Sequence, residues 1–198
     1  MHSCRRYACL VENNVSAKKF SVPIRRRNFL VGAGAALLTP GSPALASLGN
    51  SRTVALDNIH TGERLAVEYW ANGGYLTDAL AEVDRILRDF RSGEIHPIAP
   101  QLIDLLTVLG ARLETREPFH VISGYRSPAT NAMLRGEREH SGVASKSLHM
   151  QGMAIDIAVP GRSLVSLRDA ALSQRGGGVG FYPQSGFVHV DVGRVRTW

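Results

Sequence analysis

The chain has two cysteines among its 198 residues, Cys4 and Cys9, and both stand in a stretch that reads as a removable leader. Beyond residue 46 there is none, which excludes a disulfide framework and any thiolate metal centre from the main part of the chain. Long apolar runs are missing as well. The run from Phe29 to Leu38 is interrupted by Gly32 and Gly34 and falls well short of the ~20 residues that a spanning helix needs. An excess of one charge is also absent from the main part. Of the 23 Lys and Arg and 17 acidic residues behind the formal +6, seven and one respectively lie in the first 46 positions, leaving 16 of each sign. A formally neutral domain withdraws the nucleic-acid and anionic-membrane readings that a +6 chain invites. No glycine-rich loop ends in Lys-Ser or Lys-Thr, which argues against a phosphate-binding loop. The run Gly176-Gly177-Gly178-Val179-Gly180 is therefore expected to be a turn or a place where substrate approaches the backbone.

The first 46 residues carry the marks of an export signal: a basic stretch at Arg25-Arg26-Arg27, a modest apolar run, and Ala44-Leu45-Ala46 as a cleavage site. Arg26-Arg27-Asn28-Phe29-Leu30 looks like a twin-arginine signal, although Arg25 occupies the usual Ser/Thr position before the pair. The expectation is a leader over 1–46, cleaved and leaving no stable membrane anchor, and a periplasmic domain over 47–198. About 150 residues match the usual size of one domain and can bury a sufficient core without staples.

Val54 to Ile59 and Arg64 to Trp70 read as two strands around the turn His60-Thr61-Gly62-Glu63, with Asn72-Gly73-Gly74 ending the second. Thr77 is expected to cap a helix from Asp78 to Arg91, with Leu80, Val83, Leu87 and Phe90 on one face and Gly93 after its end. A second helix follows Pro100, with Leu102, Leu105, Leu106, Leu109 and Leu113 as its core stripe. Phe119 to Ser123 reads as a strand leading to Ser127 and Pro128, which fit the cap and first-turn positions of another helix, and Ser163 to Gln174 as a last one. The order predicts a small single α+β domain with a mainly antiparallel sheet and helices packed on one side.

Two late segments carry the chemistry. If Met153 to Val159 is a strand, Ala154, Asp156 and Ala158 share one face while Ile155, Ile157 and Val159 point into a core. Phe187 to Val192 likewise puts His189 and Asp191 on one face and three valines on the other. With His149, these segments offer two imidazoles and a carboxylate, a set suited to a catalytic zinc that keeps its fourth position open for water. Taken singly, each group has an ordinary reading, such as a solvated loop histidine or a salt-bridged aspartate. Together, Asp156 and His189 amid apolar neighbours pose a burial cost that a metal would offset. Spacing alone leaves the two readings even.

The pattern Ser147-Leu148-His149-Met150-Gln151-Gly152-Met153-Ala154-Ile155-Asp156 is preceded by Ser123-Gly124-Tyr125-Arg126-Ser127 and followed by Gly186-Phe187-Val188-His189-Val190-Asp191-Val192-Gly193. It resembles the zinc D-alanyl-D-alanine peptidases and their murein endopeptidase relatives. It looks closest to their exported YcbK-like branch, to which His60-Thr61-Gly62-Glu63 and the tail Arg196-Thr197-Trp198 are also similar. The resemblance implies the fold of lysostaphin-like peptidases and the hedgehog signalling domain, Zn2+ on His149, Asp156 and His189, and murein peptides as substrate, with endopeptidase favoured over carboxypeptidase. Where relatives place an acidic residue or His before the last ligand, this chain has Gly186 and Phe187, so Asp191 is the expected base. The alternatives are that Asp191 orients His189, or that Asp191 is the ligand and His189 the base. Arg126 resembles an arginine that holds a substrate carboxylate, with a helix-entry salt bridge as its plain reading. Ser147 either bonds substrate or shapes its loop. Tyr125 and Tyr182 are candidate groove walls or core residues, and the polar loop from Arg135 to Lys146, with a solvated His140, is a candidate rim or lid. The missing conventional base keeps a non-catalytic, zinc-containing murein-binding module as the competing function. Nothing in the sequence speaks to oligomeric state.

Overall fold

The computed structural model describes residues 50–136 and 143–198, so the leader expected over 1–46 and His140 lie outside the described residues. The chain opens with the expected hairpin, β1 (Ser51–Asn58) and β2 (Arg64–Ala71). Asn58 closes the turn: its Oδ1 accepts the backbone N–H of His60 at 3.0 Å and of Thr61 at 3.3 Å. A two-residue turn at Asn72 and Gly73, with φ of 53° and 83°, then adds the short strand β3 (Gly74–Tyr75). Asn-Gly supplies the positive φ that such tight hairpin turns demand, and so continues the sheet that the sequence reading had end there.

Helix α1 runs over Thr77–Ile86, ending five residues earlier than expected, and its N-cap is Leu76 without a side-chain cap, not Thr77. Two carbonyls needed for a further turn are already taken. Asn58 Nδ2 donates to the Ile86 carbonyl at 2.9 Å, and the Tyr125 N–H donates to that of Leu87 at 2.7 Å. A helix continued to Arg91 would need those oxygens for its own N–H groups. Helix α2 (Pro100–Arg112) buries Leu102, Leu105, Leu106 and Leu109 as anticipated. Strand β4 (Phe119–Ser123) leads to α3 (Pro128–Gly136), whose Thr130 N–H is accepted by Ser127 Oγ at 3.2 Å, the anticipated cap. A short 3-10 turn (Leu148–Gln151), β5 (Ala154–Ala158) and α4 (Leu164–Gln174) follow. Strands β6 (Gly178–Tyr182), β7 (Phe187–Asp191) and β8 (Arg196–Thr197) complete the fold. The glycine run is thus largely strand, not turn.

The eight strands form one sheet in the order β3-β2-β1-β4-β5-β7-β6-β8. It is antiparallel except at β1/β4 and β6/β8. The domain is α+β, with a core built from α1, α2 and α4 against the sheet. Ile155 and Ile157 of β5, Val188 and Val190 of β7, Leu106 and Leu109 of α2 and Leu167 of α4 all belong to it. Helix α3 buries polar Thr130 and Asn131 instead. Because side chains alternate along a strand, packing 155, 157, 188 and 190 into this core turns Asp156, His189 and Asp191 to the opposite face. Among the described residues no helix is long and apolar enough to cross a membrane.

Candidate metal centre

Register brings two of the three expected ligands together. β5 and β7 pair antiparallel with Asp156 opposite His189 and Ala154 opposite Asp191. His149 arrives from the 3-10 turn, whose start is fixed by Ser147: its Oγ accepts the His149 N–H at 3.4 Å. One heteroatom from each of His149, Asp156 and His189 lies within 4.8 Å of the others, and all three residues are buried.

The hydrogen bonds around them assign the protons. His149 Nδ1 donates to the Gly124 carbonyl at 2.7 Å, because that oxygen can only accept, and this leaves a lone pair on Nε2. On its far side His189 Nε2 lies 3.2 Å from Asp191 Oδ2, which makes it a donor and leaves Nδ1 facing the centre. His149 Nε2 is then 3.2 Å from His189 Nδ1 and 3.3 Å from Asp156 Oδ1, while His189 Nδ1 and Asp156 Oδ1 are 2.8 Å apart. Three lone-pair-bearing atoms converge on one point. A proton on His189 relieves part of that repulsion. Burial alone would lower the pKa of His189, but its bonds to Asp156 and Asp191 raise it. Burial likewise opposes ionisation of Asp156, yet the two imidazoles beside it, His149 first and then His189, hold it well below the usual carboxylate range whenever they carry the extra proton. A divalent cation answers the same convergence completely. Bonds of ~2.0–2.1 Å at tetrahedral angles place ligand atoms about 3.3 Å apart, close to the spacing found, and the N,N,O donor set suits zinc.

Asp191 stands behind this centre. It is fully buried, and its carboxylate is saturated. Oδ1 accepts from the N–H groups of Gly178 at 2.9 Å and Gly193 at 2.8 Å and from Arg196 Nη1 at 3.1 Å, and Oδ2 accepts from Arg196 Nη2 at 2.7 Å. Burial would raise its pKa, but the bonds from His189, Arg196 and the two amides hold it well below the normal range. The arrangement locks the His189 ring and its tautomer, as carboxylates behind metal-bound histidines do.

The centre opens into a cavity of about 420 Å³ whose lining includes Arg126, Lys146, Ser147, Tyr182, Arg196 and Trp198. Arg126 reaches Asp156 Oδ2 at 3.7 Å and Ser123 Oγ at 3.3 Å, and its Nε is buried without a partner. Of the two tyrosines considered as walls, Tyr182 lines the cavity, whereas Tyr125 is a core residue bonded to Glu94 at 2.6 Å and stacked on His96. Sequence reasoning gave no place in the site to Arg196 and Trp198. The signal was the glycine pair at 178 and 180: the strand leaves room there for Arg196 and for the Trp198 ring, each of which would collide with a Cβ.

The model of a peptidase family, Peptidase_M15_2, described as peptidoglycan L,D-endopeptidase MepK, matches residues 46–198. Peptidoglycan L,D-endopeptidase MepK of Escherichia coli (strain K12) is 44% identical over 168 residues, covering 85% of this chain and 91% of the relative. A probable peptidoglycan L,D-endopeptidase MepK of Haemophilus influenzae is 39% identical over 169 residues, covering 85% and 90%.

Proposed function

Because this chain belongs to the peptidoglycan L,D-endopeptidase MepK family of M15 peptidases, we propose that it hydrolyses an L,D peptide bond in murein with a zinc ion held by His149, Asp156 and His189. The observation that carries this reading is the convergence of those three buried donors at the floor of an open cavity. Zinc bound there would supply a water of pKa ~7 and polarise a carbonyl, so no covalent acyl-enzyme is needed. The protein's own part is to hold the two imidazoles in fixed tautomers, through Gly124 and Asp191, and to present cationic Arg126, Lys146 and Arg196 along the cavity. Murein stem peptides carry free carboxylates, and a guanidinium fork at Arg126 suits one of them. Ser147 shapes the loop that presents His149, and its hydroxyl also borders the cavity.

Asp191 takes the orienting role in this reading rather than that of the base expected from sequence. Its oxygens are engaged by amides, Arg196 and His189, and it does not border the cavity. Among the described lining residues no carboxylate or imidazole stands besides the three ligands, which is the observation that favours the second reading, a murein-binding module without turnover. Digestion of purified cross-linked murein, with chelator and zinc rescue and with mass spectrometry of the soluble fragments, separates the two. The hydrolase releases new zinc-dependent muropeptides, and bound zinc with intact murein would establish the module instead.

Murein as substrate calls for a location outside the cytoplasm, consistent with an export signal over 1–46 and delivery to the periplasm by the twin-arginine route. Continued export in a strain lacking that route would refute the route.

A further inference from the structure

Among the groups lining the cavity is a phenol, Tyr182, whose hydroxyl is engaged by a neighbouring indole. Tyr182 ends β6 on the same sheet face as Gly180, and Gly180 pairs with His189 across the β6/β7 ladder. Its ring stacks on Phe187 at 4.7 Å. The Trp198 indole occupies the space over Gly180, where a Cβ would lie 2.7 Å from the ring, and its centroid is 5.2 Å from that of His189. Backbone bonds from Phe181 N to the Trp198 carbonyl and from Trp198 N to the Val179 carbonyl fix the indole there, and Arg196 packs over its face at 4.8 Å. Trp198 Nε1 lies 2.6 Å from the Tyr182 hydroxyl.

An indole N–H can only donate, so the phenol oxygen accepts it and the phenol proton must point elsewhere. Both rings line the cavity that contains His149, Asp156 and His189, and half of Trp198 remains exposed to whatever enters it. The geometry points to Tyr182 as a catalytic residue: its O–H donates to the scissile carbonyl oxygen as that oxygen gains negative charge, with Trp198 as the positioning residue that aims it. This inference rests on the reading of the site as a murein peptidase. The step balances without consuming the tyrosine. Water adds to the carbonyl carbon, the C–N bond breaks, the water's proton leaves with the amine, and Tyr182 keeps its own proton throughout. Accepting the indole N–H makes the phenol a better donor, since linked hydrogen bonds polarise one another. A donor aimed in advance at a developing oxyanion acts on turnover rather than on ground-state binding.

The test compares wild type, Tyr182→Phe, Trp198→Phe and the double variant in the full chain loaded with zinc. Tyr182→Phe is expected to lower kcat on murein peptides on the order of 10²-fold with KM and zinc content unchanged. It should also weaken a phosphinic peptide that mimics the tetrahedral intermediate, read by calorimetry, by a similar factor while leaving an uncleaved stem peptide's affinity alone. Trp198→Phe keeps a ring but removes the N–H, so it should give a smaller loss that nearly vanishes in the Tyr182→Phe background. An unchanged kcat in Tyr182→Phe, loss of zinc from that variant, or additive losses in the double variant would each overturn the inference. A wild-type chain that holds zinc yet leaves murein intact would bring down the peptidase reading and this inference together. An active wild type with an equally active Tyr182→Phe brings down the inference alone.

Discussion

Two buried aspartates, Asp104 of α2 against strands β1 to β3 and Asp156 on the interior strand β5, show what separates a structural carboxylate from one proposed to bind a metal. Asp104 of α2 is tied by Arg52 Nη1 at 2.9 Å, Tyr69 O–H at 2.9 Å and Tyr75 O–H at 2.7 Å. Arg52 in turn lies over the Trp70 ring at 4.3 Å, and Tyr69 bonds Thr107 at 2.8 Å. Each partner of that carboxylate brings a proton, so the knot is closed and has nothing left to bind. Asp156 is as buried, but the nearest atoms to its Oδ1 are imidazole nitrogens whose own protons are spent on Gly124 and Asp191. Burial of polar groups therefore does not mark a site. The direction of their protons does, because acceptors crowded on acceptors need a cation or a proton between them.

The sharpest way to break the comparison is to remove each carboxylate in turn. Asp156→Ala should abolish stoichiometric zinc, measured by elemental analysis. It should also lower murein hydrolysis by more than the ~100-fold typical of losing a ligand's outer partner. Zinc is read on the folded fraction, because the change also removes the carboxylate that Arg126 and the two imidazoles hold ionised. Asp104→Ala should instead cost stability and leave the zinc site intact. With both partners of the Arg52 pair about nine-tenths buried, stranding the guanidinium is expected to cost about 3–5 kcal/mol, seen as an earlier urea midpoint. Zinc content and activity of the folded fraction should match wild type. Loss of zinc in Asp104→Ala would mean that the two regions are coupled and the contrast false.

Asp191 sharpens the comparison because it is saturated like Asp104 yet, like Asp156, touches His189, a proposed ligand. Asp191→Asn should lower zinc affinity by about 10–100-fold, the range for a group behind a metal-bound histidine, with turnover falling in step as sites empty. Competition with a chelating dye measures the first and saturating zinc tests the second. Turnover lost at full zinc occupancy would return Asp191 to the part of base.

How much of this was legible in the sequence follows from what each signal depends on. Period-two alternation in 153–159 and 187–192 correctly sorted Asp156, His189 and Asp191 onto one face, because side-chain direction along a strand is a local property. The α2 leucines were equally plain. The end of α1 was not, since it is decided by Asn58 and Tyr125, 28 and 38 residues away from the carbonyls they occupy. The saturation of Asp191 was hidden for the same reason: its donors come from Gly178, Gly193 and Arg196, and only the β6/β8 pairing assembles them. Gly178 and Gly180 read as a turn because glycine in a strand looks like a break. The physical reason for them, room for Arg196 and Trp198, lies in a strand that joins the sheet last in the chain.

The smallest expected effect separates the two regions by pH. Burial first, then the bonds to Asp104, push the Tyr75 phenol up to about 12, and burial raises Tyr69 further. Both are protonated in the folded and unfolded chain below pH ~10, so their stabilisation is complete there. Above that value the unfolded chain loses its phenolic protons first, and stability must fall as pH rises toward the folded values. Tyr75 is more than a third exposed and its share is screened, so the buried Tyr69 carries most of a loss on the order of 1 kcal/mol by pH 11. Urea midpoints taken from pH 8 to 11 should decline in wild type and decline less in Tyr69→Phe. Zinc content along the same series should stay level while the chain is folded, because Asp156 pairs with Arg126, His149 and His189 and with no phenol among the described residues. A parallel fall in zinc would place the alkaline weakness in the metal centre and not in the knot.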